Sequence, residues 1–259
     1  MNMIITSMLA GIVGTGLGGV LTVLLGYRTD KTIGGLLSFA GGVMTSIVFF
    51  ELMPEAAAHA GMAISVVGLA AGVITVLWLN QFVDKISGPG RSPEALHDTF
   101  QEFFHEKKVI EGDSGSLRAG LLMLFVIGLH NIPEGLALGA AGYHDASLGV
   151  TLAVMIGVHN IPEGMAIAAP LLSGGLGRGK AVGLTLLAGA PTVLGALVGV
   201  LVGGVSDTAL ALAYSTAGGA MLYAVFGEIL PQTIAISKDR APTIILLAGV
   251  VFGMLLSRI

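Results

Sequence analysis

No cysteine occurs in the 259 residues of this chain, which removes disulfides, thiolate metal sites, thiol nucleophiles and iron–sulfur clusters from consideration. Any metal it holds must be bound by nitrogen and oxygen. Charge is almost as scarce. Asp, Glu, Lys and Arg make up 11% of the residues, too few to wet the surface of a soluble protein of this size. The net charge of −4 speaks against nucleic acid as a partner. No basic residue precedes the first apolar stretch, so no detachable signal peptide is expected.

What is abundant is apolar sequence, 54% of the chain at a mean hydropathy of +0.90, together with forty glycines. Glycine is commoner in spanning helices than in soluble ones because it lets backbones approach closely. A spanning helix needs about 20 apolar residues, and eight stretches reach that length, near 3–25, 32–57, 63–84, 118–142, 146–172, 180–203, 208–236 and 241–257. A single all-α integral membrane domain over residues 1–259, with eight transmembrane helices, is therefore expected. Eleven of the twelve Lys and Arg fall in the connections after helices 1, 3, 5 and 7, the twelfth being Arg258. The positive-inside rule makes those connections cytoplasmic and both termini extracytoplasmic. In the long cytoplasmic connection, 85–117, Ser92-Pro93-Glu94 reads as a helix start ahead of an apolar stripe of Leu96, Phe100, Phe103 and Phe104. His97 and His105 read as part of its solvated face.

The chain also matches itself. Ser38-Phe39-Ala40-Gly41-Gly42-Val43-Met44 resembles Ser215-Thr216-Ala217-Gly218-Gly219-Ala220-Met221, an offset of 177 that also carries Glu51-Leu52-Met53-Pro54 onto Glu228-Ile229-Leu230-Pro231. The same shift lays Gly18 on Gly195 and Gly72-Val73 on Gly249-Val250. Helices 1–3 thus correspond to helices 6–8, each partner running the opposite way across the bilayer. Between the triplets lie helices 4 and 5. The expected layout is a 3+2+3 inverted-repeat bundle, a device of secondary transporters.

Helices 4 and 5 share an identical hexapeptide, His130-Asn131-Ile132-Pro133-Glu134-Gly135 and His159-Asn160-Ile161-Pro162-Glu163-Gly164. Helical spacing puts His130 with Glu134, and His159 with Glu163, on one face. Pro133 and Pro162 each leave a backbone acceptor unpaired and mark expected kinks. The two histidines are equally far from the turn between antiparallel helices, so they meet at one depth, roughly 22 Å below it at about 1.5 Å per residue. That is close to mid-bilayer. Buried carboxylates there are expensive: Glu51, Glu134, Glu163 and Glu228 together cost on the order of 10 kcal/mol on an insertion scale. A water-filled cavity or a divalent cation removes most of that cost. Two His and two Glu suit Zn²⁺, and with waters or Asn oxygens also Fe²⁺, Mn²⁺, Co²⁺ or Cd²⁺.

Duplicated His-Asn-x-Pro-Glu-Gly motifs on the fourth and fifth of eight helices resemble the ZIP (Zrt/Irt-like) family of divalent metal transporters, in its prokaryotic branch. The resemblance covers nearly the whole chain. It implies zinc uptake into the cytoplasm, a bacterial inner (plasma) membrane location and a homodimer. It also implies a metal site of His130, Asn131, Glu134, His159, Asn160 and Glu163. The ion is then cargo, and no resident cofactor is expected. Many relatives carry a carboxylate before a proline in helix 6 that helps hold a second metal; here the step is Ala190-Pro191, so one tight site is expected.

Other readings stand beside this one. Glu51, Glu55 and Glu228 are candidates for the metal's pathway, although Glu51 and Glu228, each three residues before a proline, also read as caps of broken helices. His59 and the His144-Asp145 turn fall on the external side, as cation gatherers or as ordinary loop residues. The alternative function is an intramembrane metal-dependent hydrolase, against which stands the lack of an H-E-x-x-H arrangement. A carrier of organic solutes is a further rival, disfavoured because no Lys or Arg falls at the midplane.

Overall fold

The computed structural model describes residues 3–25, 30–87 and 113–257, and every regular element among them is helical. In hydrocarbon an unpaired backbone N–H or C=O costs several kcal/mol, so each apolar segment satisfies its own backbone as a helix. We number the helical runs α1 (3–25), α2 (30–60), α3 (62–87), α4 (Asp113–His144), α5 (Ala146–Ser173), α6 (178–203), α7 (207–237) and α8 (Ala241–Leu256). No loop separates α2 from α3. Gly61 alone, at φ 79° and ψ 161°, breaks the rod, in a backbone conformation that L side chains rarely adopt. Among the described residues six stretches are long and apolar enough to cross a membrane, counting Gly34–Trp78 as one, and Ala241–Leu256 is a shorter apolar helix. The helix expected around Ser92 to Phe104, with His97 and His105, lies outside the described residues.

The closest pairs are α1 with α5, α4 with α6, α2 with α8 and α3 with α7, while α4 runs along α5. Glycine sets these approaches. Where α1 crosses α5, a Cβ on Gly18 would collide with the Ile161 carbonyl, and one on Gly164 with the Thr15 carbonyl. Gly195 and Gly135 play the same parts between α6 and α4, Gly42 and Gly249 between α2 and α8, and Gly219 and Gly72 between α7 and α3. Several buried hydroxyls are satisfied within their own helices: Thr15, Thr22, Ser38, Thr45 and Ser215 each donate to the carbonyl four residues back. The largest apolar cluster gathers Met44, Ile47, Leu52, Leu138, Leu152, Met155, Ile156 and Met221, and α5 is buried along most of its length.

Four helices leave regular α geometry. Met8–Val13 in α1, Val48–Leu52 in α2 and Ala224–Ile229 in α7 are π-helical, and α6 is divided at Gly189 between Arg178–Ala188 and Ala190–Gly203. Prolines explain three of these. Pro54 and Pro231 lie just beyond the π stretches and Pro191 just beyond Gly189, and a proline cannot donate to the carbonyl four residues back. Pro133 and Pro162 sit inside α4 and α5, which stay helical through them. The α7–α8 connection is tight. Lys238 closes α7 at φ 57°, and the Ser237 hydroxyl and the Ala241 N–H both donate to the Asp239 carboxylate, holding it below the usual carboxylate range.

Candidate metal centre

Helical spacing turns Glu134, His159 and Glu163 toward one point between α4 and α5. One ligand atom from each lies within 4.8 Å of the others, and all three residues are buried. His159 Nε2 is 2.9 Å from Glu134 Oε1, while Nδ1 is 3.1 Å from the Met155 carbonyl oxygen one turn back. A carbonyl can only accept, so Nδ1 carries a hydrogen; the 2.9 Å contact to the Glu134 carboxylate then needs a second hydrogen between Nε2 and Oε1, and it is this proton that a metal would displace. A backbone acceptor behind the imidazole is the usual way a metal-binding histidine is aimed.

Asn131 and Asn160 are oriented by the irregular turns of neighbouring helices. The Asn131 amide nitrogen donates to the Ala188 carbonyl at 2.7 Å, and that of Asn160 to the Ala10 carbonyl at 3.1 Å. Ala188 is the last residue before the Gly189 break, and Ala10 lies in the π stretch of α1. Where the ladder is disturbed, a carbonyl needs a donor from outside the helix. The asparagines supply it, which turns their amide oxygens the other way. In α1, which has no proline, this inserted side chain accounts for the π turn.

The result is a surplus of acceptors. Asn131 Oδ1, Asn160 Oδ1, Glu134 Oε2 and Glu163 Oε2 are all buried without a hydrogen-bond partner. Buried polar atoms are ordinarily paired. Unpaired acceptors on the two glutamates of the triad and on asparagines of the same helices are groups that could hold a cation.

His130 stands outside this triad. Its Nε2 is 3.8 Å from Glu228 Oε2, and it borders a cavity of about 320 Å³ with Thr75, Leu129, Thr216 and Met221. Glu228 and Glu51 each lie inside a π-helical stretch and are partly buried, and Glu55 is at an exposed end, 3.8 Å from His59. Among the described residues two buried hydroxyls have no hydrogen-bond partner, those of Thr192 and Tyr214, and neither was among the expected site residues. Thr192 directly follows Ala190-Pro191, where only a carboxylate was sought; Tyr214 belongs to no motif.

Comparison with known proteins agrees on one family. The model described as ZIP zinc transporter matches residues 1–258. The chain is 32% identical to a protein named zinc transporter ZupT from Akkermansia muciniphila, over 97% of this chain and 93% of that one. Proteins of the same name from Corynebacterium glutamicum and Streptococcus mutans are 31% and 28% identical, over 91% and 97% of this chain and 90% and 93% of theirs. Together with the membrane-length helices, these matches make the chain an integral membrane transporter rather than an enzyme. It belongs to the ZIP zinc transporter family.

Proposed function

We propose that this protein carries divalent cations, zinc foremost, across the bacterial inner membrane into the cytoplasm, through a site between the middles of α4 and α5. The observation that carries the reading is the buried convergence of Glu134, His159 and Glu163, together with four buried oxygens on these two helices that have no hydrogen-bond partner. The Glu134 and Glu163 carboxylates neutralise a dication, and the imidazole and asparagine oxygens complete a nitrogen–oxygen shell. That chemistry suits Zn²⁺ and admits Fe²⁺, Mn²⁺, Co²⁺ and Cd²⁺. Without thiolates the cargo is not held too tightly to leave. His130 and Glu228 continue the path from the centre toward the cytoplasm, and Glu51 and Glu55 lead in from the opposite side. The basic connections assign the cytoplasmic face, and the inward direction is what the family resemblance implies.

Eight crossings in an inverted 3+2+3 repeat support alternating access, and several features favour that architecture. The offset of 177 carries the π stretch of α2 onto that of α7, and the π stretch of α1 onto the segment holding the Gly189 break. The same correspondence exchanges the α2–α8 and α3–α7 contacts, and, with α4 exchanged for α5, the α1–α5 and α6–α4 contacts. Related halves of this kind can trade conformations to open one face and then the other.

Metal and protons compete for the same imidazole and carboxylates, so flux is expected to fall as pH drops. Zinc and its chemical neighbours are expected to raise the thermal midpoint of the purified protein, while organic acids and amines leave it unmoved; stabilisation by an organic solute instead would favour the rival carrier. Asn131→Ala and Asn160→Ala are each expected to raise the half-saturating zinc concentration about tenfold or more, measured as uptake by proteoliposomes. A hydrolase fits poorly, because it needs an open coordination position reached by water, whereas Glu134 and His159 are fully buried.

A further inference from the structure

Three helix ends meet on the face opposite the basic connections. His59 lies two residues before the Gly61 break, His144 is the last residue of α4, and Asp207 is the first of α7. Tight turns hold them there. Asp145 alone joins α4 to α5 and caps the latter, accepting from the Ser147 N–H at 2.7 Å, and Ser206 caps α7 by accepting from the Ala209 N–H at 3.1 Å.

At this junction His59 Nδ1 is 3.3 Å from Asp207 Oδ1, and Nε2 is 3.8 Å from Glu55 Oε2. The His144 ring stands edge-on to that of His59, with centroids 4.4 Å apart. Beneath them lies Tyr214, its ring centroid 6.5 Å from that of His59. Tyr214 has no exposed surface, and its hydroxyl has no hydrogen-bond partner although it lies in the field of the Glu55 and Asp145 carboxylates. A buried, unpaired hydroxyl on a ring this close to an imidazole–carboxylate cluster is available as an outer partner for a bound group. The surrounding charge favours the cation. Residues 55–62, 142–147 and 203–208 contain Glu55, Asp145 and Asp207 and not one Lys or Arg. An acidic mouth concentrates cations by roughly ten- to a thousandfold.

We propose that Glu55, His59, His144 and Asp207 form a second, superficial site for a divalent cation such as Zn²⁺, which loads the path to the buried centre. In the present arrangement His59 divides its two nitrogens between two carboxylates. An ion takes one of those nitrogens, the neighbouring His144 nitrogen, and Asp207 or Glu55. Both carboxylates can turn to meet it, their side chains being 75% and 40% exposed. Two imidazoles and a carboxylate suit zinc-like ions better than Mg²⁺ or Ca²⁺, which prefer oxygen alone. Solvent exposure and side-chain ordering keep the site weaker than the buried one, as a loading station requires. Its place on the outer face rests on the proposed orientation; its existence does not.

Co²⁺ is the probe, because nitrogen ligation gives it a visible absorption band. The full chain carrying Glu134→Gln and Glu163→Gln, reconstituted in nanodiscs, isolates the superficial site. It is expected to bind one equivalent of Co²⁺ with that band, displaced by Zn²⁺ and not by Mg²⁺. Adding His59→Gln and His144→Gln is expected to abolish the band, and Asp207→Asn, at an exposed position that does not threaten folding, to weaken binding severalfold. With the buried centre intact, His59→Gln with His144→Gln is expected to raise the half-saturating zinc concentration for uptake about tenfold at an unchanged maximal rate. Absence of the band in the first variant, or its survival without the two histidines, overturns the proposal. The transport reading fails separately, through undiminished uptake by Glu134→Gln with Glu163→Gln.

Discussion

Zinc uptake into proteoliposomes carrying Glu163→Gln is expected to fall to the level of protein-free vesicles, and Glu134→Gln to do the same. The substitution keeps shape and volume, so packing between α4 and α5 is preserved while one negative charge is lost. At 4 Å and an effective dielectric of 20, even a single unit-charge pair is worth about 4 kcal/mol, close to a thousandfold in occupancy. The loss against a dication is larger. Nothing nearby replaces it: the Asn131 and Asn160 oxygens are neutral, and His130 is engaged near Glu228 rather than at the triad. The accompanying control is the thermal midpoint without metal, which is expected to hold or rise, since removing one of two adjacent buried carboxylates relieves repulsion. Saturable uptake at the native rate with a folded Gln variant would remove the metal centre from this account.

The second large effect is structural. Gly164→Val and Gly135→Val are each expected to prevent recovery of monodisperse protein, because a Cβ at Gly164 meets the Thr15 carbonyl of α1 and one at Gly135 meets the Thr192 carbonyl of α6. Backbone cannot step aside as a flexible side chain does. Overpacking of a well-packed contact costs about 1–3 kcal/mol and more where main chain is struck, and here it also shifts the helices that hold Ala10 and Ala188 against the two asparagines. Gly183→Ala is the control, since a Cβ there touches nothing within 4 Å, and it is expected to be neutral or slightly stabilising. Equal tolerance at positions 164 and 183, judged by size-exclusion profile and thermal midpoint, would contradict the close-approach account.

Much of the fold class was legible because hydropathy and lipid leave one choice. Runs of apolar residues with almost no charge can only be helices or a closed barrel, and their length and glycine content read as helical. The pairing of Gly18 and Gly195, and of Gly72 and Gly249, was visible as spacing alone, yet their partners, Gly164, Gly135, Gly219 and Gly42, emerge only from helix crossings. At the centre, the duplicated hexapeptide announced six side chains, but it treated His130 and His159 as equivalent. In the structure His159 joins the two glutamates and His130 turns to Glu228. Identical local sequences meet different neighbours, and no periodicity encodes that difference.

The asparagines make the same point. Their presence beside the ligands was plain, but their orientation comes from the Ala10 and Ala188 carbonyls, residues far away in the chain whose availability depends on a π turn and a helix break. Tyr214 shows the opposite limit, an unremarked aromatic that acquires chemical interest only through His59, His144 and the carboxylates around it.

Composition and repetition by themselves determined that this is a helical membrane protein without thiol chemistry and with imidazoles and carboxylates twice over in its interior, because burial in hydrocarbon permits no other use of such residues. Only the tertiary structure decided which of those groups share a point in space, which carbonyls aim the amides, and which acceptors are left unpaired. Ligand geometry is set at the ångström scale by contacts between helices, and the order of residues along one helix constrains only the side it faces.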